Sequence, residues 1–140
     1  MVVENMLMIT KQYKFCAAHR YWNPDWDEEK NFHEFGDDVR LHGHNYDLYI
    51  TVRGPVNNET GFIISLEKLN NIVSKYVIEV FDHMQIEKDI DWFSNRQPST
   101  ENMVVFIWNQ IAKHVPQPAE LYKIKLRETN SIFTEYYGEQ

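Results

Sequence analysis

At 140 residues, with 43% hydrophobic and 14% aromatic side chains, the chain suits one compact domain over 1–140 and leaves little room for a second. Twenty-one acidic against fourteen basic residues give a formal charge of −7, and the bases do not cluster, which argues against a nucleic-acid or anionic-membrane binder. The single cysteine, Cys16, excludes an intramolecular disulfide framework and a Cys-rich zinc finger.

The stretch MVVENMLMITKQYK lacks the basic start and apolar core of a signal peptide, and no apolar run reaches the ~18 residues of a membrane span. A soluble, cytoplasmic protein is expected. From Met8 to His19 the residues Ile9, Tyr13, Phe15, Ala17 and His19 share one parity, and Thr10, Gln12 and Lys14 the other, a strand with one wet face. Cys16 falls on the parity opposite His19 and reads as a small buried hydrophobe.

Tyr21 to Arg40 is polar, acidic and aromatic without a clear period, with a turn at Asn23-Pro24. It reads as a long loop, a frequent place for function. A second strand follows, in which His42, His44, Tyr46, Leu48, Ile50 and Val52 share one parity. Beyond the turn NNETG, apolar residues from Leu66 to Val80 recur at spacings of three and four, predicting an amphipathic helix of about four turns behind Ser65.

The pattern breaks at Phe81-Asp82-His83. Ser99 or Thr100 then caps a second helix, ENMVVFIWNQIAKHV, which stops before Pro116 and Pro118. In the next strand Tyr122, Ile124, Leu126 and Glu128 alternate with Lys123, Lys125 and Arg127, and SIFTEYYG supplies a short partner. The order ββααββ predicts an α+β fold, a four-stranded antiparallel sheet with two helices on one face.

His42 and His44, at i and i+2, lie on one side of an extended chain, and His19 ends the preceding strand. Antiparallel pairing brings the three imidazoles together. Three neutral His nitrogens with one open position describe a catalytic Zn²⁺ site, whereas the plainer reading makes HGH a turn with satisfied surface histidines. His33 and His114 have no comparable argument.

Asp82 beside His83 can orient and tune a proton-transfer imidazole, or the two are a helix-terminal His and a turn Asp. Glu128 continues an apolar parity and points inward, where a carboxylate needs donors or a partner. A salt bridge within the sheet and an anchor for a ligand with paired N–H donors both satisfy that need. The tryptophans read as packing residues.

The motifs F-x-A-A-H at Phe15 to His19, H-G-H-N-Y at His42 to Tyr46, T-G-x-I-I at Thr60 to Ile64, D-H at Asp82-His83, P-S-T-E-N at Pro98 to Asn102 and R-E-T at Arg127 to Thr129 occur in the order of one family. The chain resembles the 6-pyruvoyl-tetrahydropterin synthase / 6-carboxy-tetrahydropterin synthase family from about residue 8 to 138. The resemblance implies the tunnelling fold, in which three subunits close a barrel and two trimers stack into a hexamer with active sites between subunits. A homo-oligomer, trimer or hexamer, and a small pterin substrate are therefore expected, with no nucleic acid or membrane partner.

The resemblance further implies His19, His42 and His44 as Zn²⁺ ligands, Glu128 as the carboxylate gripping the pterin's amino-pyrimidine edge, Asp82-His83 as a proton relay, and Ser99 and Thr100 as contacts near the pterin. It implies 7,8-dihydroneopterin triphosphate or a close relative as substrate. The product is then 6-pyruvoyl-tetrahydropterin, or the carboxy-pterin on the route to queuosine. Zinc in such a site acts as a Lewis acid.

The chain departs from the family pattern at one point. Members place a cysteine two residues after F-G as general base, and here Phe35-Gly36-Asp37-Asp38 offers Asp38. Asp38, or a neighbour such as Asp37, Glu34 or His33, is the expected candidate for the base. Some relatives with Glu near this point cleave dihydroneopterin-type side chains to 6-hydroxymethyl-dihydropterin, so the resemblance implies that activity as one alternative and a non-catalytic pterin-binding paralogue as another.

Overall fold

A computed structural model describes residues 7–139; the first six residues of the stretch read against a signal peptide lie outside it. Strand β1 (Met8–His19) and strand β2 (His42–Arg53) pair antiparallel in unbroken register, from Met8 opposite Arg53 to His19 opposite His42. Strand β4 (Glu120–Thr129) pairs with β2, and β5 (Ile132–Tyr136) with β4, both antiparallel. These are the four strands the alternation predicts.

A fifth strand was not expected. Two residues, β3 (Met84–Gln85), add to the free edge of β1 in parallel, opposite Ala17 and Ala18, so the sheet order is β3-β1-β2-β4-β5. Its cause lies one step earlier, at the helix break. The Cys16 N–H donates to Asp82 Oδ1 (2.9 Å) and the His83 N–H donates to the Cys16 carbonyl (2.7 Å). An edge that would otherwise leave these groups unpaired is thereby closed.

The predicted helices form with small changes. Helix α2 (Leu66–Val73), with the Ser65 hydroxyl accepting from Lys68 N–H, runs on through a π-turn (Ser74–Ile78) into α3 (Glu79–Phe81). Helix α4 (Ile86–Asp89) and a 3-10 turn (Asp91–Asn95) follow, and Ser99 rather than Thr100 caps α5 (Thr100–Ile111). Leu69, Val73, Val77 and Phe81, with Met103, Ile107 and Ile111, are fully or almost fully buried, as are Tyr46, Leu48, Ile50, Ile124 and Leu126 of the sheet. Each such side chain stabilises by roughly 1.5–3 kcal/mol, and the Tyr13 hydroxyl pins the layer by donating to Asn70 Oδ1 (2.7 Å).

The stretch read as a loop contains helix α1 (Glu28–Phe35), capped by Asp27 and continued by a 3-10 turn (Gly36–Val39). Its only buried residue is Asn31, whose amide donates to the carbonyls of Asn23 and Asp27 (both 3.0 Å) and whose Oδ1 accepts from the Asn23 N–H (2.7 Å). A helix held by a polar hub leaves no hydrophobic period to read. No helix among the described residues is long and apolar enough to cross a membrane.

Candidate active site

The unbroken β1–β2 register sets His19 directly opposite His42 and puts Ala17 opposite His44, so the three imidazoles share the core-facing side at one end of the pair. Their ring centroids lie 4.6 Å (His19–His42), 5.0 Å (His19–His44) and 5.1 Å (His42–His44) apart, with the rings edge-on to one another. One ring nitrogen from each falls within 4.8 Å of the other two. The plainer reading of HGH as a surface turn does not describe this arrangement.

Tautomers follow from the neighbours. A carbonyl can only accept, so His19 Nδ1–H donates to Pro98 O (2.8 Å) and His42 Nδ1–H donates to Arg40 O (2.7 Å). The Nε2 lone pairs are left for something else. His19 Nε2 and His44 Nε2 are buried without a hydrogen-bond partner, a state that costs about 1–3 kcal/mol per group when nothing satisfies it.

Burial pushes the His19 imidazole down to about 4, with His42 and His44 acting in the same direction. His44 is lowered by burial and then by His42. Imidazoles that stay neutral with inward lone pairs have the donor set of a transition-metal site. The residues present therefore fit a metal ion.

Glu128 stands beside this centre, its Oε1 3.6 Å from His44 Nε2 and its side chain 14% exposed. The β4–β5 register shifts between Arg127 and Thr129, and such a bulge re-aims a side chain. Burial, and then the charge of Asp38, push its carboxyl up. No lysine or arginine pairs with it among the described residues, and its ion-pair neighbour in the sheet, His44, has its pKa lowered by burial, which weakens a sheet salt bridge as its explanation and leaves its oxygens available.

Asp38, in the 3-10 turn after α1, is more than half exposed, with Oδ1 3.7 Å from His42 Nε2. Its carbonyl accepts from the Tyr21 N–H (2.9 Å), tying the segment to the end of β1. Ser99 and Thr100 sit near the centre through Pro98, but their hydroxyls are engaged. Ser99 Oγ accepts from the Asn102 N–H (3.2 Å), and Thr100 Oγ1 shares a 2.7 Å hydrogen bond with Thr134 Oγ1.

Asp82 and His83 are not among the three imidazoles; they form a second cluster with Cys16. Asp82 Oδ2 lies 2.9 Å from His83 Nδ1, and the Cys16 N–H, followed by the His83 contact, holds its carboxyl below the usual range. Cys16 is half-buried, not a core hydrophobe, and its Sγ is 3.8 Å from both ring nitrogens of His83. Strand parity shows which face Cys16 takes. No sequence signal placed residue 83 beside residue 16, because a two-residue parallel pairing leaves no periodicity.

The comparisons with known proteins define the class. Residues 8–139 match the family model described as 6-pyruvoyl tetrahydropterin synthase. The 6-pyruvoyl tetrahydrobiopterin synthase of Drosophila melanogaster is 33% identical over 132 residues, covering 93% of this chain and 79% of that protein. The chain belongs to this family.

The solved 6-pyruvoyl tetrahydropterin synthase of Caenorhabditis elegans superposes with a TM-score of 0.88 at 27% identity, covering 95% of this chain and 96% of that one. A dihydroneopterin monophosphate aldolase of Pyrococcus furiosus is 30% identical over 121 residues, covering 86% of this chain and 89% of that protein.

Proposed function

We propose that residues 1–140 form one unit that acts, as a homo-oligomer, as a Zn²⁺-dependent pterin synthase or lyase on 7,8-dihydroneopterin triphosphate or a close relative. One observation carries the reading. Two buried imidazole nitrogens without hydrogen-bond partners, His19 Nε2 and His44 Nε2, meet His42 beside an inward carboxylate that no lysine or arginine pairs with among the described residues. His19, His42 and His44 would hold the metal, which supplies Lewis-acid polarisation of ligand oxygens.

The remaining steps belong to the chain. Glu128, desolvated and lacking a cation, binds and orients an edge offering paired N–H donors, as an amino-pyrimidine does. Pro98 O and Arg40 O keep the His19 and His42 rings in one tautomer. Asp38 reaches the same centre and takes a proton from the bound side chain. Ser99 and Thr100 place the loop that carries Pro98.

A second reading has a specific basis. The acidic Asp38 where the family places a cysteine, together with the aldolase likeness, supports cleavage to 6-hydroxymethyl-dihydropterin instead of the pyruvoyl or carboxy product. Mass spectrometry of products from dihydroneopterin triphosphate and its dephosphorylated form separates the two. About one zinc per chain is expected, with metal and turnover lost together in His42→Ala. Full turnover by metal-free protein refutes the reading, and tight pterin binding with no product on either substrate assigns the chain as a binding protein.

A further inference from the structure

The side chains that meet at the imidazole centre offer acceptors. His19 and His44 present Nε2 lone pairs, Glu128 and Asp38 are carboxylates, and the Ser99 and Thr100 hydroxyls are engaged elsewhere. A ligand oxygen placed among them has lone pairs to satisfy and meets no side-chain donor in this set.

Tyr21 supplies one. Its half-buried ring packs with its centroid 5.0 Å from that of His19 and 6.4 Å from that of His42. On the other side it stacks on Phe35 of α1 at 5.6 Å, and Phe35 stacks on Trp26 at 5.7 Å. The Tyr21 N–H donates to the Asp38 carbonyl (2.9 Å). A ring braced by α1 and tied through its backbone to the segment bearing Asp38 is held in one orientation.

The charges of Glu128, Asp38 and Glu101 all act on the Tyr21 hydroxyl, which places it toward the centre. No hydrogen bond holds this hydroxyl among the described residues, and it is not sealed from solvent. Tyr46 differs on both counts. It is fully buried, with its hydroxyl 3.5 Å from His19 Nδ1, the nitrogen that His19 turns toward Pro98.

We propose that Tyr21 is a ligand-binding residue of this centre, its phenol O–H donating to an oxygen of the ligand's side chain and so turning the neighbouring C–H toward Asp38. The inference deepens the pterin reading and rests on it for the identity of the ligand. The phenol keeps its proton throughout. Glu128 and Tyr21 divide the ligand between them, Glu128 taking the N–H edge of the ring and Tyr21 the side chain. A site built to hydrogen-bond an oxygen discriminates against the analogue that lacks it.

The test is calorimetry on zinc-loaded protein with two probes, neopterin, which carries a hydroxylated side chain, and 6-methylpterin, which has no side-chain oxygen. Tyr21→Phe keeps the ring and its stack on Phe35 and removes only the hydroxyl. Its affinity for neopterin is expected to fall about tenfold while that for 6-methylpterin changes by less than about twofold, with metal content and urea midpoint unchanged. Glu128→Gln is expected to weaken both probes alike, because both present the same ring edge.

Equal losses on the two probes in Tyr21→Phe, or no loss on neopterin, overturn the proposal and leave the pterin reading standing. If wild type binds neither probe, the pterin reading fails and this inference falls with it.

Discussion

Removing the metal and lowering the pH should destabilise the protein through His19. This imidazole is fully buried, and its surroundings push it from the ordinary 6.5 down to about 4, burial first and the neighbouring His42 and His44 after it. In the metal-free folded state it stays neutral, whereas in the unfolded chain it takes up a proton below its ordinary value. Its contribution is therefore complete above the unfolded pKa and is lost as pH falls toward the folded one.

From about pH 7.5 to about pH 5 the loss comes to roughly 2 kcal/mol for His19 alone, and the lowered His44 adds to it. Urea unfolding of chelator-treated protein across that window should show the midpoint falling by on the order of 1 M. His19→Gln, which keeps a donor for Pro98 O, should flatten much of the slope. A midpoint that does not move with pH, or that moves equally in His19→Gln, refutes the reasoning.

Replacing Glu128 by Gln removes the charge that receives paired N–H donors, and pterin affinity by calorimetry should weaken by about 10- to 100-fold. Asn31→Ala breaks the polar hub under α1 and should cost about 1–3 kcal/mol, with hydrogen exchange rising over Asn23 to Phe35 and not in β1. Ser99→Ala deletes the cap of α5 at a cost of about 1 kcal/mol in thermal or urea unfolding, and a larger loss of pterin affinity than of stability would give its hydroxyl a ligand contact.

The part of the fold that builds the imidazole centre was legible because it depends on strand parity alone. Two alternating runs joined by a long excursion force His19 against His42, and one shared parity brings His44 to them. Glu128 was legible for the same reason, although the bulge beside it was not. What escaped has no periodicity. Helix α1 is fastened by Asn31 hydrogen bonds instead of an apolar stripe, and β3 is two residues long.

The π-turn in the first predicted helix keeps Val77 and Phe81 buried, so the apolar pattern reads as one uninterrupted helix. Cys16 was misjudged because its parity told only which face it takes. Its environment comes from Asp82 and His83, brought in from far along the chain by contacts that backbone groups make.

Strand β1 acts as a partition. Cys16 and His19 are three residues apart and therefore emerge on opposite sides of it, the thiol outward and the imidazole toward the helices. A ligand gripped at the imidazoles of one chain therefore lies across β1 from His83 of that chain, and meets such a ring either around the end of the strand or on another copy laid against it. If the second route is used, turnover per chain should fall on dilution below the association limit while metal stays bound, because one chain alone would carry the three imidazoles and the Asp82-His83 pair and never present them to each other.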